Sequence, residues 1–321
     1  MIKNKIKRGL CLALGLLMLF LVSCSPAEPE KEKVSVLCTI YPQYDWVMQI
    51  IKGSDGVQAE LMISNGADVH SYNPSVDDMV KIKRSDAVLI IGGEADAWVS
   101  EALEDAKGEV LALSELEGVV LRGVSDEHIM SDHDGHEHHG HEASTLDEHV
   151  WLSIKNAKAS VEAICSLICE LDPDNSDIYR ANTAEYISEL SALDEAFEEL
   201  AEQGDDELVI IADRFPFVYL FEDYEISYVA AYKGCSADSD ADFDTVLRLA
   251  DRIADSECKY IAVCDGSDKK LAKSAMQAAG TECEIVVLDS IQSVNDKKIS
   301  DGYSYVGVMR ANLEALEKIL K

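Results

Sequence analysis

The sequence predicts an α/β protein: two Rossmann-like parallel-sheet lobes joined by a long rigid helix. Three observations carry this reading. Short apolar runs alternate with amphipathic stretches, the pattern of parallel strands linked by crossover helices. The alternation runs through four strands in each half of the chain, with a helical segment between the halves. Beyond the first 33 residues, roughly 290 remain, more than most single cores contain.

Lys3, Lys5, Lys7 and Arg8 precede an apolar run from Leu10 to Val22 that ends at Ser23-Cys24. That run is shorter than the ~20 residues a spanning helix needs, so residues 1–23 are expected to be a secretory signal. Leu21-Val22-Ser23-Cys24 resembles the lipobox cut by the lipoprotein signal peptidase, which would leave a lipidated Cys24 as N-terminus and membrane anchor. Residues 24–33 mix Pro, Glu and Lys without hydrophobic period and read as a solvated tether.

The N-terminal α/β lobe is expected over 34–153, with strands at 34–40, 57–63, 87–92 and 109–113. Helices near 43–52, 76–84 and 96–106 separate them. Linking helices fill 154–206, interrupted at Asp172-Pro173. In the stretch from about 176 to 203, Ile187, Leu190, Leu193, Phe197 and Leu200 keep a 3/4 spacing and form one apolar stripe. A helix of that length is roughly 40 Å long and can brace two lobes with little hinge motion. The C-terminal lobe, 207–321, repeats the plan with strands at 208–213, 227–232, 260–264 and 284–289. Its helices are expected near 217–224, 243–255, 269–279 and 305–320.

The formal net charge is −33, and loss of the four cations of the leader makes it more negative. Such a charge argues against nucleic acid or an anionic bilayer surface as partner, and identifies no ligand by itself. Besides Cys11 and Cys24 the chain carries Cys38, Cys165, Cys169, Cys235, Cys258, Cys264 and Cys283, an odd set that leaves at least one thiol unpaired in a monomer. Cys165 and Cys169 have helical spacing and are expected to pack as small apolar residues. No CxxC pair occurs, which speaks against a thiolate zinc knuckle or a thioredoxin-like motif.

The histidines are not scattered. His70 stands alone, and His128, His133, His136, His138, His139, His141 and His149 complete the set of eight. Imidazole is a common ligand of Zn²⁺ and binds it in neutral form. The loop 128–142 has a stretch, 131–142, without any apolar side chain, so it cannot order by burial. His133, His136, His138, His139 and His141 are therefore expected to collect metal weakly; the alternative is a solvated acidic loop without a metal role.

The tight site is sought elsewhere. His70 lies in Asn65-Gly-Ala-Asp-Val-His-Ser-Tyr-Asn-Pro74 and His149 in Asp147-Glu-His-Val-Trp-Leu-Ser153. Both stretches resemble the first and second ligand motifs of the zinc/manganese-binding cluster A-I solute-binding proteins of ABC transporters. In that family the second motif follows a His-rich loop when the metal is zinc. Val287-Leu-Asp-Ser-Ile-Gln-Ser-Val294 is similar to the segment that supplies a carboxylate ligand, which carries over to Asp289. The likeness extends from Val34 to the closing helix at Lys321.

The third ligand departs from the family pattern. Where His or Glu is usual, five residues before Tyr219, this chain has Arg214, and a guanidinium cannot coordinate a metal. Asp213, one residue earlier, is one candidate; the other reading pairs Asp213 with Arg214 or a helix end and leaves three protein ligands plus water or a loop histidine. The resemblance implies an extracytoplasmic monomer that binds Zn²⁺, with Mn²⁺ as the alternative ion, and delivers it to an ABC transporter permease. An adhesin is a second class compatible with the same features. A zinc hydrolase is a third, disfavoured because neither HExxH nor Gly-x-Ser-x-Gly occurs.

Overall fold

A computed structural model describes residues 33–103, 108–125, 128–130, 146–204, 207–234 and 243–321. The expected signal, Cys24 and the tether up to residue 32 lie outside these residues, as do His133, His136, His138, His139 and His141.

The first sheet is built from β1 (Val34–Cys38), β2 (Val57–Leu61), β3 (Ala87–Ile90) and β4 (Glu109–Ala112), all parallel in the order β2-β1-β3-β4. Its connections include α1 (Tyr41–Ile50), α2 (Val76–Arg84) and α3 (Ala97–Leu103). Two linking helices follow, α4 (Ile154–Leu171) and α5 (Ser176–Gln203), broken at Asp172 and Pro173 as the sequence predicts.

The second sheet repeats the first. Strands β5 (Val209–Phe215), β6 (Tyr228–Lys233), β7 (Tyr260–Cys264) and β8 (Glu284–Leu288) are parallel in the order β6-β5-β7-β8. Around it lie α6 (Val218–Asp223), α7 (Phe243–Ser256), α8 (Lys270–Ala279), the short α9 (Asp296–Ser300) and α10 (Tyr305–Leu320). In both sheets the first strand sits between its two successors, so crossovers leave it in opposite directions. Open α/β sheets bind ligands outside the carboxyl ends of such strands.

Both sheets and α5 share one buried apolar core that includes Trp46 of α1, Trp151, Tyr179 and Phe197 of α5 and Tyr305 of α10. Polar groups inside it are paired. Asp45 of α1 accepts from Tyr186 of α5 and from the Tyr305 backbone, both at 3.3 Å. Burial nevertheless pushes its carboxyl above the usual range. Two turns further along α5, Asp194 accepts from Tyr224 and Lys158, each at 2.7 Å. Helix α5 thus links the α1 side of the first lobe to α6 and α10 of the second through buried hydrogen bonds as well as apolar packing.

Two local departures from the sequence reading bear on function. Strand β5 continues past the expected end at 213, with a register shift between Ile211 and Arg214, so Asp213 lies inside a bulged strand. Residues 128–130, expected at the start of a loop in the first lobe, run instead along the second sheet. Ile129 bridges Ala230 of β6, and Met130 joins the apolar cluster of that lobe.

Helix α2 begins with a capping box. Ser75 Oγ accepts from the Asp78 N–H, and the Asp78 carboxylate accepts from the Ser75 N–H and hydroxyl at 2.7 Å. Burial raises the Asp78 carboxyl, but these bonds, Tyr72 and Lys81 outweigh it, and the net effect is downward. A depressed carboxyl stabilises the fold above the ordinary aspartate range and loses that contribution as pH falls through its lowered value. Asp78→Ala is therefore expected to cost about 1 kcal/mol at neutral pH, and less in acid. Urea denaturation of both proteins at the two pH values measures the difference.

Candidate metal centre

His70 follows β2 in a single 3-10 turn, Val69–Ser71, capped by Asp68, whose Oδ1 accepts from the His70 N–H at 2.9 Å. The chain is held on the far side by Tyr72, which donates to Asp78 at 2.8 Å and packs against Trp98. The ring itself is only partly covered, with 28% of the side chain exposed.

His149 is buried, and the two residues before it serve both imidazoles. Asp147 Oδ1 faces His149 Nδ1 at 2.7 Å, and Glu148 Oε2 faces His70 Nδ1 at 3.4 Å. A carboxylate facing Nδ1 favours the tautomer with the proton there and the lone pair on Nε2. The two Nε2 atoms then point at each other 3.4 Å apart. Asp147 is held in turn by Tyr219, whose hydroxyl donates to its carbonyl at 2.6 Å. Glu148 accepts from the Ala95 N–H at 3.0 and 3.1 Å. It reaches there because residue 93 is glycine: a Cβ on Gly93 would stand 2.2 Å from Glu148 Oε1.

From the second lobe comes the loop after β8. Gln292 brings its side-chain amide against His149 Nε2. Asp289 and Gln292 line one small cavity with Asp68, Arg214, Cys264 and Asp265. The Asp289 carboxylate accepts from Tyr303 and the Ile291 N–H, both at 2.8 Å, and Lys298 Nζ stands 3.5 Å away. Ile291, between Asp289 and Gln292, has φ 61° although it is β-branched and fully buried. That backbone region is strongly disfavoured for such a residue.

Of the expected ligands, His70 and His149 are brought together. Asp289 lines a neighbouring small cavity together with Gln292, whose amide touches His149, but it is bonded to Tyr303. Asp213 is turned away: its Oδ1 accepts from the Arg214 N–H at 2.8 Å and its Oδ2 lies 3.4 Å from the Cys264 N–H. The Arg214 side chain lies 3.9 Å from Asp68 and 3.8 Å from Asp213. Among the described residues no group of three or more His, Cys, Asp or Glu side chains is gathered to hold a metal.

The arrangement still has a clear chemical character. Two nitrogen ligands about 2.0–2.1 Å from a tetrahedral zinc are about 3.3–3.4 Å apart, so the Nε2 separation matches one edge of such a shell. Sequence reasoning missed the supporting residues Asp147, Glu148 and Gln292. The first two stand beside His149 in the quoted motif, and carboxylates next to a candidate histidine are a usable signal. Gln292 left none, because its approach depends on the Ile291 turn.

Two similarly wound parallel sheets, a bracing helix and paired imidazoles at the strand ends define a metal-binding solute-binding protein. Residues 36–319 match the family described as ZnuA, zinc-uptake complex component A, periplasmic, and the chain belongs to this family. It is 29% identical over 304 residues to the zinc-binding lipoprotein AdcA of Streptococcus pneumoniae, covering 95% of this chain and 59% of that protein. The chain thus spans under two thirds of that relative's length. Against the high-affinity zinc uptake system protein ZnuA of Bacillus subtilis the identity is 28%, over 92% of this chain and 90% of that protein. The crystal structure of the Zn(II)-bound ZnuA-like domain of Streptococcus pneumoniae AdcA superposes with TM-score 0.72 at 25% identity, covering 90% of this chain and 99% of that one.

Proposed function

We propose that this chain captures Zn²⁺ between its lobes outside the cytoplasm and delivers it to an ABC-type permease. One observation carries the reading: both Nδ1 atoms face carboxylates while the two Nε2 atoms stand 3.4 Å apart. The names of the pneumococcal and Bacillus relatives, a zinc-binding lipoprotein and a zinc uptake protein, support the choice of ion. The family is that of a transport component, which supports a binding role over catalysis.

His70 and His149 supply imidazole nitrogens, and Asp289 supplies a carboxylate once it turns from Tyr303. The proposed shell omits Asp213, whose oxygens face backbone N–H groups, and completes the fourth position with water, the Gln292 carbonyl or a loop histidine. Cys24 bears the lipid that keeps the monomeric protein beside its permease. The domain limits are those read from the sequence, except that residues 128–130 belong with the second lobe.

Equilibrium dialysis against Zn²⁺ tests this. One tightly held ion per chain is expected, lost in His70→Ala. Deleting 131–142 is expected to keep that ion and reduce only the weakly held ones. A wild-type chain that retains no tight ion overturns the reading, and loss of the tight ion on loop deletion makes a loop histidine the missing ligand.

A further inference from the structure

Away from the metal centre, at the opposite ends of β7 and β8, two thiols meet. Cys258 lies two residues before β7 and Cys283 immediately before β8, and their sulfurs are 3.5 Å apart, in van der Waals contact. The surrounding backbone is fixed. Glu284 N–H donates to the Lys259 carbonyl at 2.7 Å, and the strands pair in register from Tyr260 and Glu284 onward. Cys283 Sγ donates to the Cys258 carbonyl at 3.1 Å, and its N–H meets Met276 Sδ at 3.4 Å. Both residues are half-buried against the apolar cluster of the second lobe.

The other described cysteines lack this combination. Cys38 and Cys264 are buried at the far ends of β1 and β7. Cys165 and Cys169 are buried on one face of α4 with sulfurs 4.0 Å apart, packed as the helical spacing predicts.

We propose that Cys258 and Cys283 are joined by a disulfide that ties the start of β7 to the start of β8. A bond of about 2.05 Å needs about 1.5 Å of closer approach, within reach of side-chain rotation on neighbouring strands. The inference rests on the extracytoplasmic reading, because thiols outside the cytoplasm meet oxidants that those inside do not.

The oxidant is a protein disulfide carrier. The Cys258 thiolate attacks one carrier sulfur and expels the other as thiolate, leaving a mixed disulfide. The Cys283 thiolate then attacks Cys258 Sγ and expels the second carrier sulfur. Two electrons pass to the carrier, and the two protons released by the chain balance those its thiolates take up. Burial and the neighbouring Cys258 push the Cys283 thiol up to about 12.

The bond spans residues 25 apart in sequence and restricts the unfolded chain across β7 and α8. Closing a loop of this size raises Tm by roughly 5–10 °C. The test is the full chain equilibrated with a glutathione buffer at an oxidising poise, quenched in acid, alkylated and mapped by mass spectrometry without reductant. The expected result is a linked peptide pair containing Cys258 and Cys283. Cys258→Ser/Cys283→Ser should match the reduced wild type in Tm and both should lie below the oxidised wild type.

Full alkylation of both thiols after oxidation overturns the proposal, as does a double variant whose Tm equals that of the oxidised wild type. Zn²⁺ titration of the same samples keeps the two readings apart. The crosslink lies at the other end of the sheet, so affinity should be the same with and without it, and a chain that binds no zinc can still show the linked peptide.

Discussion

His149→Ala is expected to weaken Zn²⁺ binding by more than about 100-fold, measured by competition with a chromophoric chelator. The substitution removes one of the two converging lone pairs, and it removes the ring already oriented by burial, Asp147 and the edge of Trp151 at 5.1 Å. Asp147→Asn supplies the graded control. It keeps the ring but replaces the carboxylate that fixes its tautomer, and loss of such a supporting group costs about 10–100-fold. The order wild type, Asp147→Asn, His149→Ala is the signature of a ligand held by its neighbour. Equal affinity in all three would remove His149 from the shell.

Trp151→Ala is expected to give the largest loss of stability, about 3–5 kcal/mol, read as a lower urea midpoint. Its side chain is 1% exposed, and it ties three parts of the molecule together. The indole N–H donates to the Ser290 carbonyl at 2.9 Å, and its own carbonyl accepts from the Tyr305 hydroxyl at 2.6 Å. Removing it leaves a cavity beside His149 and frees the loop that carries Asp289 and Gln292. Trp151→Phe retains most of the volume and should lose only about 1 kcal/mol, the hydrogen bond. Saturating Zn²⁺ should recover part of the loss in both, since a ligand of the native state stabilises by mass action.

Elements with strong local signals were legible in the sequence. Helices α2, α5 and α10 begin and end at the expected residues, because Ser75 and Ser304 cap two of them and an apolar stripe runs the length of α5. Strand ends moved by a few residues where tertiary pairing decides them, most clearly at β5, whose bulge no periodicity announces. Helix α9 has five residues and no apolar stripe, so it passed unseen.

The site divides the same way. His70 and His149 stood out by residue type and motif, whereas the partners that orient them depend on contacts between distant segments. Asp213 shows the limit: position along the chain left both a ligand and a partner of Arg214 open, because the direction of its oxygens depends on the bulge around it. His128 was left out of the metal-collecting loop histidines, but nothing in the sequence announced that it lies against Tyr228 of β6.

The turn at Ile291 has a mechanical consequence. A branched hydrocarbon side chain held at φ 61° carries about 1–3 kcal/mol of backbone strain. That strain is sustained while the Ile291 N–H is held by Asp289 and the amide next in line rests on His149. Coordination would draw on both of those neighbours at once, loosening the clamp that keeps the backbone cocked. Relaxation of the peptide would then add to the grip on the ion, and its reversal would oppose release, so how readily cargo is surrendered depends in part on a residue that never touches it.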